Sequence, residues 1–460
     1  MSNPKKNSIF HIVMFPWFAV GHMTPFLHLS NRLAEKGLST TFLLPNKAIQ
    51  QLKHFNLYPD LIAFHSLIIP PVDGLPAGTE TASDIPIHLT HFLTIAMDRT
   101  RDQVEKVIHE KKPKLVIYDV AHWIPEITKS VGIKAINYTV VSAASLAIVL
   151  NPARKVTLEK PITEAELAVP PSGYPSSTVV LRRHEVRSLL FVSYPFGEGI
   201  TFYERITNAM KESDALAIRT CHETEGKFCD YIGSQYKKPV FLTGPVIPEP
   251  GKAPLEERWN KWLNGFEKDS VIFCAFGSQI VLEKEQFQEL VLGFELAGLP
   301  FLVAIKPPAG ISTVEEALPE GFEKRVKGRG IICGEWVQQL KILDHPSVGC
   351  FVNHCGFGSM WEALMSNCQV VLVPHLGDQI LNTRFMAEEL KVAVEVERDE
   401  NGWFSKENLS QAIKSVMDKE SEVGLMVKKN HNKWRETMVS KGIMTSYIDK
   451  FVQNMQDLVK

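Results

Sequence analysis

Trp336 to Gln379, WVQQLKILDHPSVGCFVNHCGFGSMWEALMSNCQVVLVPHLGDQ, is the stretch from which the rest of the chain is best read. Its 44 residues run through a loop, an apolar run ending at His354, a turn with Gly356 and Gly358, and a helix expected from about Ser359. A second apolar run, QVVLVP, and a polar loop with Asp378 and Gln379 close it. A strand, a glycine-bearing turn and a helix together make an anion site. The glycines let backbone N–H groups approach a phosphate, Ser359 adds a hydroxyl, and the helix N-terminus presents the positive end of its dipole. Glu362, one turn in, can accept hydrogen bonds from a ribose. Taken alone, such a turn also serves simply to pack a helix against a strand.

Outward from this stretch, short apolar runs rich in β-formers alternate with longer amphipathic segments, the pattern of parallel α/β units. In the first half the expected strands are FHIVMF from Phe10, STTFLL from Ser39, KLVIY ending at Tyr118, KAINYTV from Lys134 and ALAIRT from Ala215. A helix PFLHLSNRLAEKG is expected to begin at Pro25 and to stop at Gly37. A second series comprises VIFCAFGS from Val271, FLVAI from Phe301, GIICGEW from Gly330, VGCFVNH from Val348, QVVLVP from Gln369 and VAVEV from Val392. Two such series imply two doubly wound domains. GPVIPEPGKAPLEE, Gly244 to Glu257, carries too many prolines and glycines for a helix or central strand and is expected to be the linker. The division expected is residues 1–243, the linker 244–257, residues 258–442, and an amphipathic helix over 443–460 that crosses back to the first domain. The irregular stretch from Asn151 to Leu190 has the length of an insertion and is expected to shape an acceptor pocket.

Composition narrows the functional class. A formal net charge of −2 with both signs interspersed leaves no basic footprint for nucleic acid. The seven cysteines lack CxxC spacing and suit reduced thiols in the cytoplasm, so neither zinc nor disulfides are expected. Lys5 and Lys6 precede the apolar IFHIVMFPWFAV, but His11 and Pro16 interrupt it and no small-residue cleavage site follows, so a buried strand explains it better than a signal peptide. No apolar run reaches the ~18 residues of a membrane span. A cytoplasmic monomer is expected.

An anion site of this kind needs a reaction partner, and the first domain offers a general base. The loop PWFAVGHMTP after the first strand is expected to place His22 at the carboxyl edge of the sheet, where open α/β folds build their sites. An imidazole with the ordinary pKa of about 6.5 is largely neutral at pH 7 and can accept a proton. Asp119, just past KLVIY, is expected to hydrogen-bond the other ring nitrogen, fixing the tautomer. Singly, a loop histidine is commonly a surface residue and an aspartate after a strand commonly a helix cap; the pair together reads as catalysis.

The 44-residue stretch closely resembles the plant secondary product glycosyltransferase box, the signature of family 1 UDP-dependent glycosyltransferases with the GT-B fold. The resemblance implies two Rossmann-like domains facing each other across a cleft, the acceptor held mainly by the first and the UDP-sugar mainly by the second. It implies that Trp336 stacks on uracil with Val337 beside it, and that Gln339 contacts base or ribose. By the same resemblance His354 and Ser359, with the N–H groups of Gly356, Phe357 and Gly358, hold the pyrophosphate. Glu362 takes the ribose hydroxyls, while Asp378 and Gln379 bond the sugar. It also assigns His22 as general base and Asp119 as its partner, with no metal and no resident cofactor, the UDP-sugar being a co-substrate. Ser278 in AFGS matches a further phosphate contact, with a helix N-cap as the competing reading. Thr139 is a candidate donor-sugar contact, with Ser142 as the competing choice. Where the family most often has Trp-Asn after HCG, this chain has Phe357 and Gly358, so an indole near the sugar and an amide contact to phosphate are absent.

Within that family, WFAVGH, DVAHWIP and HCGFGSMWEAL look like the branch that extends existing glycosides, adding glucose, rhamnose or xylose to a sugar on a flavonoid or other phenolic. The WFAVGHMTP loop has no arginine to pair with a carboxylate, which argues against a UDP-glucuronate donor. His184-Glu185 lacks the second histidine of HExxH, CGFGSM lacks the third glycine of GxGxxG, and no GxSxG occurs. The rival readings are another GT-B enzyme, including a UDP-sugar epimerase, and a UDP-sugar-binding protein without turnover.

Overall fold

His11 to Phe15 forms the first strand, and Ile12, Val13, Met14 and Phe15 are all fully buried within it. A run buried on both faces belongs to a parallel sheet covered by helices on both sides. Each such side chain contributes roughly 1.5–3 kcal/mol relative to exposure. The structure, a computed structural model, describes residues 10–247, 253–277, 279–440 and 442–460. Its first sheet holds β1 (His11–Phe15), β2 (Ser39–Pro45), β3 (Ile62–Leu67), β4 (Leu115–Tyr118), β5 (Lys134–Thr139), β6 (Ala215–Ile218) and β7 (Val240–Leu242). All pairings are parallel, in the order β3-β2-β1-β4-β5-β6-β7.

The second sheet holds β8 (Val271–Ala275), β9 (Phe301–Ala304), β10 (Gly330–Cys333), β11 (Val348–Asn353), β12 (Gln369–Leu372) and β13 (Val394–Glu395). It is parallel in the order β10-β9-β8-β11-β12-β13. Both sheets therefore wind outward in both directions from a central pair, β1 with β4 and β8 with β11. At those switch points the chain leaves the two neighbouring strands in opposite directions and opens a crevice beyond their carboxyl ends. The register puts Phe15 beside Tyr118 and Ala275 beside Asn353, so the residues that follow each pair emerge together.

The chain divides into two compact units. One takes the described residues within Met1–Pro175, Leu190–Ile247 and Gly442–Lys460, the other those within Ser176–Leu189 and Pro248–Lys441. The segment Ser176–Leu189, counted with the first domain from sequence, thus belongs to the second unit. Its buried Glu185 explains this, because it pairs there with Arg384 and Arg398. Of the expected linker Gly244–Glu257, residues 248–252 lie outside the described residues, and a helix begins at Glu257. In the C-terminal helix Ile443–Leu458, Ile448, Phe451 and Met455 share one helical face and join the core of the first unit. No helix among the described residues is long and apolar enough to cross a membrane.

Two helix starts differ from expectation. The first helix runs Val20–Glu35, so Pro25 lies inside it and not at its start. Pro25 forgoes one backbone bond, and the burial of Met23, Phe26, Leu27 and Leu29 from this helix outweighs that loss. The helix expected from Ser359 runs Phe357–Met365, with Gly356 as its N-cap.

Candidate active site

In the first unit, the earlier helix start changes the setting of His22. It occupies the first turn of Val20–Glu35, with its N–H bonded to the Ala19 carbonyl at 2.9 Å, and is not in a loop. Its Nδ1 lies 2.6 Å from Oδ2 of Asp119, across the β1–β4 switch point. Asp119 is only 8% exposed, and the same Oδ2 accepts the Trp17 N–H at 3.2 Å. The Asp119 carbonyl accepts from Asn137 Nδ2 at 2.6 Å, which ties the residue to the neighbouring strand. A carboxylate only accepts, so Nδ1 carries the proton and Nε2 is the basic atom. Thr139, the last residue of β5, is buried at the same carboxyl edge. Its competitor Ser142 is committed elsewhere: its hydroxyl caps Ala143–Val149, accepting from Ser145 N at 3.2 Å.

In the second unit, the turn after β11 is shaped around His354. Cys355 adopts a left-handed φ of 58°, and its N–H bonds Asn353 Oδ1 at 2.8 Å. Such a backbone in a non-glycine residue is held by its surroundings. A β-carbon on Gly356 would lie 2.6 Å from Nε2 of His354, and one on Gly277 would lie 3.1 Å from it. Two glycine backbones therefore close on one imidazole nitrogen, and Gly277 also needs its φ of +67°. Burial pushes His354 down to about 4, so at neutral pH the ring is uncharged and donates a single N–H. Ser278 lies outside the described residues.

The helix Phe357–Met365 has no side-chain cap, so its first N–H groups are available to an anion. Phe357 turns inward, 5% exposed, its ring 6.1 Å from that of Trp361. A β-carbon on Gly358 would meet nothing within 4 Å, so the glycine leaves open space at the helix start. Ser359 is partly exposed on the same first turn. One turn on, Glu362 accepts a hydrogen bond from Gln339 Nε2, which joins the two residues expected at the ribose. Trp336 is 75% exposed while its neighbour Val337 is buried, a large indole face at the surface as a stacking base requires.

Asp378 and Gln379, expected in a polar loop after β12, lie in the first turn of the helix Gly377–Arg384. Gln379 is buried, and its Oε1 accepts the N–H groups of His375 at 3.0 Å and Leu376 at 3.1 Å. Its carbonyl thus closes the turn, so the sugar contact expected of this residue falls to its amide N–H₂. Asn382, which sequence reasoning missed, donates from Nδ2 to the Cys355 carbonyl at 3.0 Å and to Asp378 Oδ2 at 3.2 Å. It couples the turn after β11 to the carboxylate expected at the sugar. Its position four residues after Asp378, on the same helix face, is the signal that finds it. Gly277 was also missed, although it precedes the named Ser278.

His22 paired with Asp119 at one switch point and an uncapped helix at the other, with an exposed indole after the edge strand β10, suit a nucleotide-sugar transferase. Comparison places the chain within that class. Residues 8–248 match the family described as glycosyltransferase, N-terminal domain, and residues 254–431 match UDP-glucoronosyl and UDP-glucosyl transferase. The chain is 58% identical over 454 residues to UDP-glycosyltransferase 79B6 of Arabidopsis thaliana, covering 98% of each. It is also 58% identical over 460 residues to anthocyanidin 3-O-glucoside 2'''-O-xylosyltransferase of the same plant, covering 99% of this chain and 98% of that one.

Among solved structures, Arabidopsis thaliana UGT89C1 complexed with UDP-L-rhamnose superposes with a TM-score of 0.77 at 21% identity, covering 97% of this chain and 98% of that one. Glycyrrhiza uralensis UGT73P12, complexed with glycyrrhetinic acid 3-O-monoglucuronide, gives 0.80 at 20% identity, covering 98% and 96%. These establish the GT-B fold. The chain belongs to the plant family 1 UDP-glycosyltransferases and is a UDP-dependent glycosyltransferase.

Proposed function

We propose that this chain catalyses inverting transfer of rhamnose, glucose or xylose from a UDP-sugar to a hydroxyl of a small plant metabolite. The acceptor hydroxyl in this proposal belongs to a sugar already carried by a flavonoid or phenolic. The observation that carries the reading is the 2.6 Å bond between His22 Nδ1 and Asp119 Oδ2. With Nδ1 held, Nε2 takes the acceptor proton while the acceptor oxygen attacks the anomeric carbon. The new C–O bond forms opposite the bond that breaks to the UDP oxygen, so the configuration inverts. Asp119 stabilises the imidazolium that results.

The second unit holds the donor. Trp336 stacks on uracil beside Val337, and Gln339 and Glu362 share the ribose. The N–H groups of Gly356, Phe357 and Gly358, the Ser359 hydroxyl, and His354 through its N–H take the charge that develops on the leaving diphosphate. In this scheme they do the work a metal ion does elsewhere. Asp378 accepts from sugar hydroxyls, Gln379 donates to one, and Thr139 is a further sugar contact. The glycoside acceptor is supported by the likeness to a xylosyltransferase whose acceptor is an anthocyanidin glucoside. We place the reaction in the cytoplasm, where the seven free, buried cysteines suit the reducing conditions, and with the chain as a monomer.

The test is a matrix of UDP-glucose, UDP-rhamnose and UDP-xylose against phenolic aglycones and their monoglucosides, read by mass. A diglycoside formed from monoglucosides with one preferred donor is expected. Preference for aglycones overturns the acceptor assignment, and a changed sugar nucleotide without acceptor overturns transfer in favour of epimerisation.

A further inference from the structure

Behind the loop Pro374 to Gln379 lies a buried ionic cluster. The side chains of Glu185, Arg384, Arg398 and Glu395 are 1%, 3%, 6% and 8% exposed. Arg384 pairs with both Glu185 and Glu395. Arg398 Nη2 reaches Glu185 Oε1 at 3.2 Å and Glu395 Oε1 at 3.3 Å. Two cations and two anions balance, as burial demands. Arg182, half exposed, adds contacts to Glu395 at 3.3 and 3.5 Å, and Glu185 Oε2 accepts its N–H at 2.8 Å.

The cluster holds the start of the loop after β12 and the far end of the helix that follows it. Arg398 Nη1 donates to the Pro374 carbonyl at 3.1 Å, where the loop begins. Arg384 ends the helix Gly377–Arg384, whose first turn bears Asp378 and Gln379. Glu185 alone among the four comes from a distant segment, Ser176–Leu189, which is also pinned by Ser176 and Thr178 to Glu389 at 3.0 and 2.6 Å. A buried ion pair adds little net stability over a well-packed apolar pair, so its use here lies in fixing geometry.

We propose that Glu185 is a positioning residue for the donor sugar. Through Arg398 and Arg384 it sets the helix Gly377–Arg384, on whose first turn Asp378 and Gln379 meet the sugar. This rests on the donor assignment made above. The uracil and pyrophosphate contacts stand on other elements, joined to this helix through the Asn382 bond to the Cys355 carbonyl, so nucleotide and sugar binding are read separately.

The test compares binding of UDP with binding of the donor selected by the matrix, by calorimetry, together with kcat and KM for that donor. In Glu185→Gln, UDP affinity is expected within about twofold of the parent, while KM for the sugar nucleotide rises about tenfold or more and kcat falls. Because Glu185→Gln leaves buried arginines underpaired, Glu185→Leu with Arg398→Met serves as a second variant with no unpaired charge. It is expected to keep the parent melting temperature and still lose donor-sugar binding. Glu185→Asp, which keeps the charge on a shorter arm, is expected to recover part of the KM. A folded double variant with parent KM for the donor, or a loss of UDP and UDP-sugar binding in equal measure, overturns the proposal. A parent protein that binds no UDP overturns the donor assignment and this inference with it, and is read before any variant is made.

Discussion

His354 and Gly356 contend for one volume: a β-carbon on Gly356 would stand 2.6 Å from Nε2 of the imidazole. The backbone at Gly356, φ −60° and ψ 146°, suits any residue, so the glycine answers to the ring and not to the chain. Gly356→Ala is expected to displace the imidazole and weaken UDP binding by about 5- to 150-fold, the value of one lost polar contact of 1–3 kcal/mol. The melting temperature is expected to move little. Calorimetric titration with UDP checks this, and parent affinity in the variant detaches His354 from the phosphates.

Gly358 is the opposite case. It lies in the first turn of Phe357–Met365, and a β-carbon added there would have no neighbour within 4 Å. Gly358→Ala restricts the unfolded chain without a clash and is expected to stabilise the protein by roughly 0.4–1 kcal/mol. Thermal unfolding measures it. A destabilised variant would place an unseen constraint on the turn.

Trp336 contributes area to the surface and not to the core. Trp336→Ala is therefore expected to leave stability unchanged and to weaken UDP by about 1–3 kcal/mol, the range for loss of a base-stacking aromatic. Uridine competition reads the same contribution without phosphates. Equal affinity in parent and variant removes the stacking role.

In the first sheet the central strands and the edges were not equally legible. β1, β2, β4, β5 and β6 were expected because burial on both faces writes a continuous apolar run, and all six strands of the second sheet were expected too, its part-buried edges β10 and β13 included. The missed strands, β3 and β7, are the two edges of the first sheet, where exposed Ala63 and part-exposed His65 and Phe241 blur the run. His22 with Asp119 was legible because each follows a central strand. The setting of His22 was not, since Pro25 signals a helix start that the packing of the preceding turn overrides. The cap made by Gln379 and the tie made by Asn382 depend on loop geometry that residue spacing does not fix. The affiliation of Ser176–Leu189 was hidden because its anchor, Glu185, pairs with arginines some two hundred positions later.

Acid should weaken the fold through buried imidazoles. Burial pushes His28, His354 and His375 down to about 3, 4 and 3 from the ordinary 6.5. The unfolded chain then binds these protons more readily, so their stability is complete above about pH 6.5 and is lost as pH falls toward 4 and 3. Glu225 acts in the other direction. Burial raises its carboxyl from 4.5 to about 7, so its contribution is complete below pH 4.5 and is lost as pH rises through 7. In Glu225→Gln, the Thr220 and Ala144 partners can remain, and that loss is expected to vanish. The stability of the variant minus that of the parent should therefore grow from pH 5 to pH 8. A difference constant across that range contradicts the assignment.

The most direct test of the whole account is product formation by His22→Ala, measured with saturating UDP-sugar and acceptor beside a UDP-binding control. His22 stands in the first unit and the proposed nucleotide contacts in the second, so UDP affinity is expected to stay at the parent value. Loss of the base is expected to lower kcat by about 10²- to 10⁴-fold. Product formed at the parent rate by a variant that still binds UDP would contradict proton removal by His22.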